Sequence, residues 1–271
     1  MVDVVIDCLI PDLYTRMSGK SYYLSQTWEW ENGILMKKIV IIPAYNEAGC
    51  ILNTIKHTKE SCTEYDIIVI NDASTDDTGD ILRENGINHI NLPINLGIGG
   101  AVQTGYKYAK ENGYDIAVQV DADGQHDAAF LEAMFSKMIE TDADMVIGSR
   151  FIENQGFQSS TTRRLGISFL SWLIKVLTGT RITDPTSGLR LIGKGGIELF
   201  SQEYPADYPE PETATALISR GYKVVEMPVI MNDRQAGESS INFTKSVYYM
   251  VKVTLAILVE VSRGIGLLWK R

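Results

Sequence analysis

Two patterns of hydrophobic residues alternate along most of this chain, one typical of strands and one typical of helices. Short apolar runs between polar or glycine-containing turns are typical of buried strands, and they occur at residues 37–42, 67–70, 87–92, 116–120 and 144–150. Segments with helical spacing lie between them, at residues 47–59, 101–111 and 128–140. Strands and helices in regular succession indicate βαβ units, and therefore an α/β fold with a mostly parallel sheet flanked by helices.

The pattern changes after residue 150. A strongly apolar helix is predicted at residues 165–177, where Lys175 is the sole charge, and a turn-rich stretch follows at 183–190. A helix at 209–219 and a short strand at 223–229 come next.

The last segment, residues 243–269, has a helical period with one strongly apolar face. A helix on a membrane surface and a core or dimer helix both fit this amphipathic pattern. Lys252 and Glu260 interrupt the apolar run, which disfavours a helix that crosses the bilayer. The apolar face and its continuation are formed by Tyr248, Val251, Leu255, Leu258 and Ser262.

Three segments are predicted from these changes in pattern. Residues 1–35 show no clear period, and Met36 directly precedes two lysines and the first buried strand. We expect a dispensable N-terminal extension (1–35), a main α/β domain (36–240) and a C-terminal amphipathic helix (241–271). The alternative for the extension is an arm that packs on the core through its aromatic residues. The first residues are acidic and lack the basic region of a secretory signal, so we expect a cytoplasmic protein.

Composition narrows the class of protein. The 271 residues are 45% hydrophobic and 22% charged, as in globular proteins with a sizeable core. A formal charge of -9 argues against a nucleic-acid partner, since such proteins carry basic surfaces. The three cysteines are odd in number and lack metal-ligand spacing, which indicates reduced thiols.

The most informative stretch is DADGQH, residues 121–126, at the end of the strand 116–120. Side chains alternate along a strand, so Asp121 and Asp123 are expected on one face at its carboxyl end, where α/β folds bind ligands. With Gln125 they form an oxygen-rich set that suits Mg²⁺ or Mn²⁺ with a diphosphate. The alternative is an acidic turn before a helix capped by Asp127.

Polar residues follow other strands as well. Asp72 can accept hydrogen bonds from the base or ribose of a nucleoside, or it can belong to a polar turn. The amino end of the helix at 101–111, opened by a glycine-containing turn with Gly97, can face a phosphate. Arg150 can neutralise a phosphate or be an ordinary surface arginine, and Asp184 can orient arginines or cap a turn.

Taken in order, the motifs resemble those of family 2 glycosyltransferases of GT-A (Rossmann-like) fold, in particular the dolichol-phosphate mannosyltransferase-like enzymes that act on polyprenyl phosphates. The resemblance covers about residues 37–245 and is carried by IPAYNE (42–47), VINDASTDDT (69–78), NLG (95–97), DADGQH (121–126), GSR (148–150), DPTSGLR (184–190) and RQAGES (234–239).

The resemblance implies a metal-dependent, inverting transfer of a sugar from a nucleotide sugar to polyprenyl (undecaprenyl) phosphate. It implies donor binding by Pro43, Tyr45, Glu47, Asp72, Gly97, Asp121 and Arg150. It implies that Mg²⁺ or Mn²⁺ is held by Asp121, Asp123 and Gln125. The catalytic and phosphate-handling residues that it implies are Asp123, Arg163, Arg164 and Arg234.

Two positions depart from the family pattern. Asn71 stands where relatives commonly have aspartate, and Ser240 stands where many have lysine, which removes one diphosphate contact. A narrower match to bacterial relatives near cell-wall rhamnan gene sets implies a UDP donor carrying N-acetylglucosamine or glucose.

Alternatives remain open at this point. A hydroxyl acceptor on a glycan would need a general base, for which Glu210 and Glu212 are the candidates. A non-catalytic subunit of a membrane glycosyltransferase complex is the alternative outside enzymes. The acceptor implies peripheral association with the inner face of the cell membrane, directly or through a small membrane protein, and a homo-oligomer is left open.

Overall fold

The computed structural model describes residues 30–31, 34–153, 161–231 and 243–268, with side chains in 36–153, 163–231 and 248–264. The chain separates into two units, Met1–Met36 and Lys37–Arg271. In the first unit the described residues form an antiparallel pair, β1 (Trp30–Glu31) and β2 (Ile34–Leu35). Residues 1–29 lie outside the described residues, so the dispensability of the extension stays a prediction.

The second unit is built on a seven-stranded sheet with the order β5-β4-β3-β6-β8-β7-β9. Neighbouring strands run parallel except at β8, which is antiparallel to both β6 and β7. The predicted α/β class with a mostly parallel sheet is therefore confirmed. The strands are β3 (Lys38–Ala44), β4 (Tyr65–Asn71), β5 (His89–Asn91), β6 (Ile116–Gln119), β7 (Met145–Ser149), β8 (Arg190–Gly193) and β9 (Val224–Pro228).

Helices cover this sheet, and the central strands are buried along their whole length because both faces are covered. The described helices are α1 (Ile51–Ser61), α2 (Thr78–Glu84), α3 (Gly97–Glu111), α4 (Leu131–Thr141), α5 (Thr161–Thr178), α6 (Lys194–Gln202), α7 (Pro209–Ser219) and α8 (Phe243–Leu268). A 3₁₀ turn, Ala128–Phe130, precedes α4 and is capped by Asp127.

Several helices begin at places other than those predicted, among them α5, which begins at Thr161 and not at residue 165. Helix α1 begins at Ile51, not at residue 47, because Asn46 adopts a left-handed conformation with φ 57°. The Asn46 side chain instead accepts hydrogen bonds from the amides of Thr75 and Asp76, which joins the loop after β3 to the loop after β4. Helix α3 begins at Gly97, four residues before the predicted start.

Helix α8 packs its buried face on α7. Val253 and Ile257 are buried there, and Gly264 approaches α7 so closely that a Cβ atom would lie 2.4 Å from the Ser219 carbonyl oxygen. Glu260 is also buried, and its carboxylate accepts hydrogen bonds of 2.7 Å from Arg220 and from Arg263. No helix within the described ranges combines the length and apolar character needed to cross a membrane.

The opposite face of α8 is exposed and apolar. Its side chains are those that the helical period grouped together, including Tyr248, Val251, Leu255 and Leu258. One helix therefore has a buried face that belongs to the core and an exposed apolar face.

We predict that Arg220→Met destabilises the fold by about 3 kcal/mol, because it leaves the buried Glu260 carboxylate without its α7 partner. The loss is measured as the change in free energy of unfolding by urea. Lys137→Met is the matched control, since the Lys137–Glu140 pair is exposed at both ends and is expected to contribute below about 1 kcal/mol. Equal losses in the two variants would contradict the assignment.

Candidate active site

A cavity of about 500 Å³ lies at the carboxyl ends of β3, β4 and β6. Ligands of open α/β sheets bind at this edge. Most of the residues that the sequence assigned to the donor and the metal line this one cavity, namely Pro43, Tyr45, Glu47, Asp72, Gly97, Asp121 and Asp123. Arg150 and Gln125 are not among its lining residues.

Asp121 and Asp123 follow the end of β6, so the turn presents them and not the strand itself. The Asp121 carboxylate accepts a 3.1 Å hydrogen bond from the Gln119 amide group. The backbone N–H of Asp121 donates to Nδ1 of the buried His126 at 3.0 Å, which leaves the imidazole proton on Nε2, 3.7 Å from the second Asp121 oxygen. Asp123 accepts from the backbone N–H of Gln125 at 3.0 Å. Both carboxylates are thus oriented by neighbours.

The charge of the cavity fits a divalent cation. Its described lining contains five carboxylates, those of Glu47, Asp72, Asp121, Asp123 and Glu210, and neither lysine nor arginine. A diphosphate is repelled by such a surface unless a cation accompanies it. Among the described residues no group of three His, Cys, Asp or Glu side chains forms a metal cluster. Carboxylate oxygens are ligands that hard cations prefer, and the full ligand set stays a prediction.

The amino end of α3 is already occupied by protein acceptors. The N–H of Leu96 donates to Asp72 at 2.7 Å, and the N–H of Gly99 donates to the carbonyl of Ala206 at 3.2 Å. A Cβ atom on Gly99 would lie 2.0 Å from the Pro205 carbonyl oxygen, so this position requires glycine. These two amides therefore have protein acceptors, and a phosphate contact elsewhere at this helix end stays a prediction.

Arg150 is buried at the end of β7 and is not a surface arginine. Its guanidinium donates to both oxygens of Asp184, at 2.6 and 2.7 Å, and also to the hydroxyl of Thr186. Asp184 is itself completely buried. The structure therefore favours the orienting role for Asp184, and a direct contact of Arg150 with the donor stays a prediction.

Arg163 and Arg164 lie exposed in the first turn of α5. The ring of Phe151 lies between two guanidinium groups, 5.1 Å from that of Arg150 and 5.5 Å from that of Arg164. This contact places Arg164 next to the buried Arg150–Asp184 pair. Arg234 and Ser240 lie outside the described residues, so their roles stay predictions.

The two candidate bases are separated by the fold. Glu210 lines the donor cavity, whereas Glu212, on the other side of α7, lines a different cavity next to Arg220 and Glu260. Burial raises the pKa of the Glu210 carboxyl above its usual value, and the nearby Arg190 guanidinium opposes this only in part. Of the two, Glu210 alone lines the same cavity as Asp121 and Asp123.

Sequence reasoning missed several residues that position this site. Glu226 on β9 accepts from the N–H groups of Thr183 and Asp184, at 2.6 and 2.8 Å, and so fixes the turn that carries Asp184. The fully buried Arg190 donates to the carbonyls of Pro185 and Ser187. His126 lay within the quoted DADGQH motif but had no role assigned, and no local signal marked Glu226.

The strand order and the acidic cavity at the ends of the parallel strands define a GT-A domain. Two solved structures of glucosyl-3-phosphoglycerate synthase from Mycobacterium tuberculosis share this fold. One, in complex with UDP, aligns with a TM-score of 0.61 and 17% identity over 84% of this chain and 80% of its own. The other, in complex with Mn²⁺, UDP and phosphoglyceric acid, aligns with a TM-score of 0.61 and 17% identity over 83% of this chain and 78% of its own.

The chain belongs to the glycosyl transferase family 2, which it matches over residues 39–195. Undecaprenyl-phosphate mannosyltransferase of Micrococcus luteus is 30% identical over 221 residues, 76% of this chain and 88% of the relative. UDP-N-acetylglucosamine–dolichyl-phosphate N-acetylglucosaminyltransferase of Methanococcus voltae is 33% identical over 211 residues, 70% of this chain and 83% of the relative. The resemblance to family 2 glycosyltransferases is confirmed.

We predict that Asp184→Asn destabilises the fold by about 3–5 kcal/mol, because it leaves the buried Arg150 guanidinium without its counter-charge. Urea unfolding measures the loss. The double variant Arg150→Met, Asp184→Leu removes both charges and is expected to recover most of the stability, since a buried pair replaced by apolar side chains is often neutral. A loss below about 1 kcal/mol in the single variant, the range of exposed pairs, would show that the pair is not an essential part of the site.

Proposed function

We propose that this protein transfers a sugar from a nucleotide sugar to the phosphate of a polyprenyl lipid, with inversion at the anomeric carbon. The observation that carries the proposal is that negative and positive side chains lie in separate parts of the surface. A carboxylate-rich cavity without cations in its described lining lies beside exposed arginines at the start of α5. Burial raises the pKa of the Glu210 carboxyl in that cavity, which Arg190 and Arg150 oppose, and the ring of Phe151 is 5.1 Å from the Arg150 guanidinium and 5.5 Å from that of Arg164.

The relatives support the class of acceptor. The similar proteins from Micrococcus luteus and Methanococcus voltae are named for transfer to undecaprenyl phosphate and to dolichyl phosphate. Their names differ in the sugar, mannose in one and N-acetylglucosamine in the other. For this chain we propose a UDP donor carrying N-acetylglucosamine or glucose, which a panel of donors tests.

In the proposed reaction a phosphate oxygen of the lipid forms the bond to the anomeric carbon. The bond from that carbon to the nucleoside diphosphate breaks, and its electron pair leaves with the diphosphate. A phosphate monoester has a second pKa of about 6 and is largely dianionic at neutral pH, so it needs no general base. It needs a fixed position, which Arg163, Arg164 and Arg234 are proposed to give, since a guanidinium holds phosphate bidentately.

The donor side has a different requirement. A divalent cation, Mg²⁺ or Mn²⁺, held by Asp121, Asp123 and Gln125 would neutralise charge that develops on the departing diphosphate. His126 and Gln119 hold Asp121 in its orientation, and the backbone N–H of Gln125 holds Asp123. Pro43, Tyr45, Glu47 and Asp72 are proposed to bind the nucleoside.

The proposed acceptor resides in a membrane, and the surface next to the arginines is suited to one. Exposed apolar side chains follow one side of α5, namely Leu165, Phe169, Trp172 and Val176. Helix α8 packs against α5, with Met250 next to Gly166, and adds its own exposed apolar face. We propose peripheral association of this surface with the membrane; a small membrane protein covering it is the alternative.

The proposal predicts lipid-linked sugar when the protein is incubated with Mn²⁺ or Mg²⁺, undecaprenyl phosphate in vesicles and a panel of labelled nucleotide sugars. Asp123→Ala is expected to lower the rate by roughly 10²–10³-fold, because charge on the leaving group is no longer neutralised. Glu140→Ala removes an exposed carboxylate on α4 and serves as the control. Donor hydrolysis without a lipid product would contradict the proposed acceptor, and failure to bind any nucleotide would favour a non-catalytic subunit.

Glu210→Gln separates a phosphate acceptor from a hydroxyl acceptor. With lipid phosphate, kcat is expected to stay within about tenfold of the original, because no proton has to be removed. A hydroxyl acceptor would need ionised Glu210, so activity would fall as the pH drops through the raised pKa of this group, and Glu210→Gln would lose roughly 10²–10⁴-fold in kcat. Glu212→Gln is the control, since Glu212 lies outside the donor cavity.

A further inference from the structure

A second cavity, of about 360 Å³, runs along the side of α5 and carries the opposite charge to the donor cavity. Its helical wall is formed by residues at spacings of three and four, which place them on one side of α5. This wall contains Arg164 at one end and Lys175 at the other. Phe151, Arg181 and Thr183 form the opposite wall. The nine described lining residues include three cations and no carboxylate.

The two ends of this groove are separate sites for a phosphate. Arg164 and Lys175 are eleven residues apart in one helix, which corresponds to about 16 Å. Side chains that extend across the groove, and not along the helix axis, therefore meet different phosphates at its two ends. Lys175 and Arg181 form no ion pair with any residue in the described part of the chain, and the nearby Asp184 and Glu226 are engaged by Arg150 and by backbone amides. The Lys175–Arg181 end thus has positive charge that the proposed reaction does not use.

We propose that Lys175 and Arg181 bind the phosphate diester of an anionic phospholipid in the membrane surface. The occupant is argued from the position of the groove beside the exposed apolar side of α5. Trp172 belongs to both surfaces, since it lines the groove and is 57% exposed, and tryptophan favours the boundary between lipid and water. This inference rests on the membrane location in the proposed function.

The overall charge of the protein makes a local cation pair necessary. The formal charge is -9, so an anionic membrane repels the molecule as a whole. Binding to such a membrane requires cations where the protein touches the lipid, within a Debye length of about 8–10 Å. Lys175 also lies in the last turn of α5, where a cation is favoured by the helix dipole. The dipole does not account for Arg181, which lies on the opposite wall beyond the helix.

The test is flotation of the full chain with vesicles that contain no polyprenyl phosphate. The protein is expected to bind phosphatidylcholine vesicles that contain phosphatidylglycerol more tightly than vesicles of phosphatidylcholine alone. Lys175→Gln with Arg181→Gln should weaken binding to the anionic vesicles by roughly 30-fold, at about fivefold for each cation near the surface. Lys59→Gln with Lys107→Gln changes the net charge equally at exposed positions on α1 and α3 and should have little effect.

Three results of the flotation experiment would overturn the inference. Equal losses of vesicle binding in the two double variants would show that only the overall charge of the protein matters. No loss in either would show that Lys175 and Arg181 do not bind the lipid. Competition by inorganic phosphate at concentrations that leave ionic strength unchanged would identify a site for free phosphate and not for a lipid headgroup.

A transfer assay in detergent separates this site from the acceptor position. Lys175→Gln with Arg181→Gln is expected to leave transfer to solubilised undecaprenyl phosphate unchanged, since neither residue is placed in the catalytic machinery. A parallel loss of transfer would show that this end of the groove binds the acceptor and would overturn a separate lipid site. Absence of transfer in the unaltered protein would contradict the proposed function while leaving the flotation result interpretable.

Discussion

The completely buried carboxylate of Asp184 must be matched by donors, and the way it is matched connects several parts of the fold. Arg150, from the end of β7, donates to both of its oxygens. Glu226, from β9, accepts hydrogen bonds from the N–H groups of Thr183 and Asp184 and so holds Asp184 in place. Arg190, at the start of β8, fixes the following residues through their carbonyls and also donates to Thr213 on α7. Removing one partner would leave a buried charge without its counter-charge, which is strongly destabilising. The residues of this turn therefore depend on one another.

This turn determines where α7 begins relative to the donor cavity. The bond from Arg190 to Thr213 lies one turn along α7 from Glu210, which lines the cavity. On the far side, Phe151 relates the Arg150–Asp184 pair to Arg164. A buried ion pair is a weak source of net stability, since the desolvation of both charges offsets their attraction. Its contribution here is geometric, because it fixes the end of β7 against the turn that carries Asp184.

The strands were predictable from the sequence, and the helix starts were less so. Buried parallel strands are apolar along their length, which made β3, β4, β6 and β7 visible as runs. Strand β8 was missed, because it begins with the buried Arg190, whose burial depends on carbonyl and hydroxyl partners distant in the fold. Asn46 directly precedes the helix predicted at 47–59, yet its side chain accepts hydrogen bonds from the amides of another loop, and the helix begins at Ile51. Local sequence does not contain that information.

The candidate site could also be predicted only in part from the local sequence. Spacing was sufficient to bring Asp121 and Asp123 together, and the order of the motifs was sufficient to identify the family. Glu210 and Glu212 are two residues apart in a helix, so they point to nearly opposite sides, and a helical period implies that only one can face the donor. Which one does so depends on the docking of α7, which packs against α8 and receives a hydrogen bond from Arg190 at Thr213. Tertiary contacts, and not local pattern, made that choice.

Helix α8 reverses an ordinary expectation about charged residues. In the sequence, Glu260 was an interruption of an apolar segment, and a surface position would be the usual interpretation. In the structure Glu260 points inward, where Arg220 and Arg263 match its charge, while Leu255, Leu258 and Val259 are exposed. An amphipathic pattern with apolar residues on both sides cannot identify the buried side by hydrophobicity alone. The buried side is identified by the partner that a charge requires, and the other apolar face of α8 is exposed, as is the apolar stripe of α5.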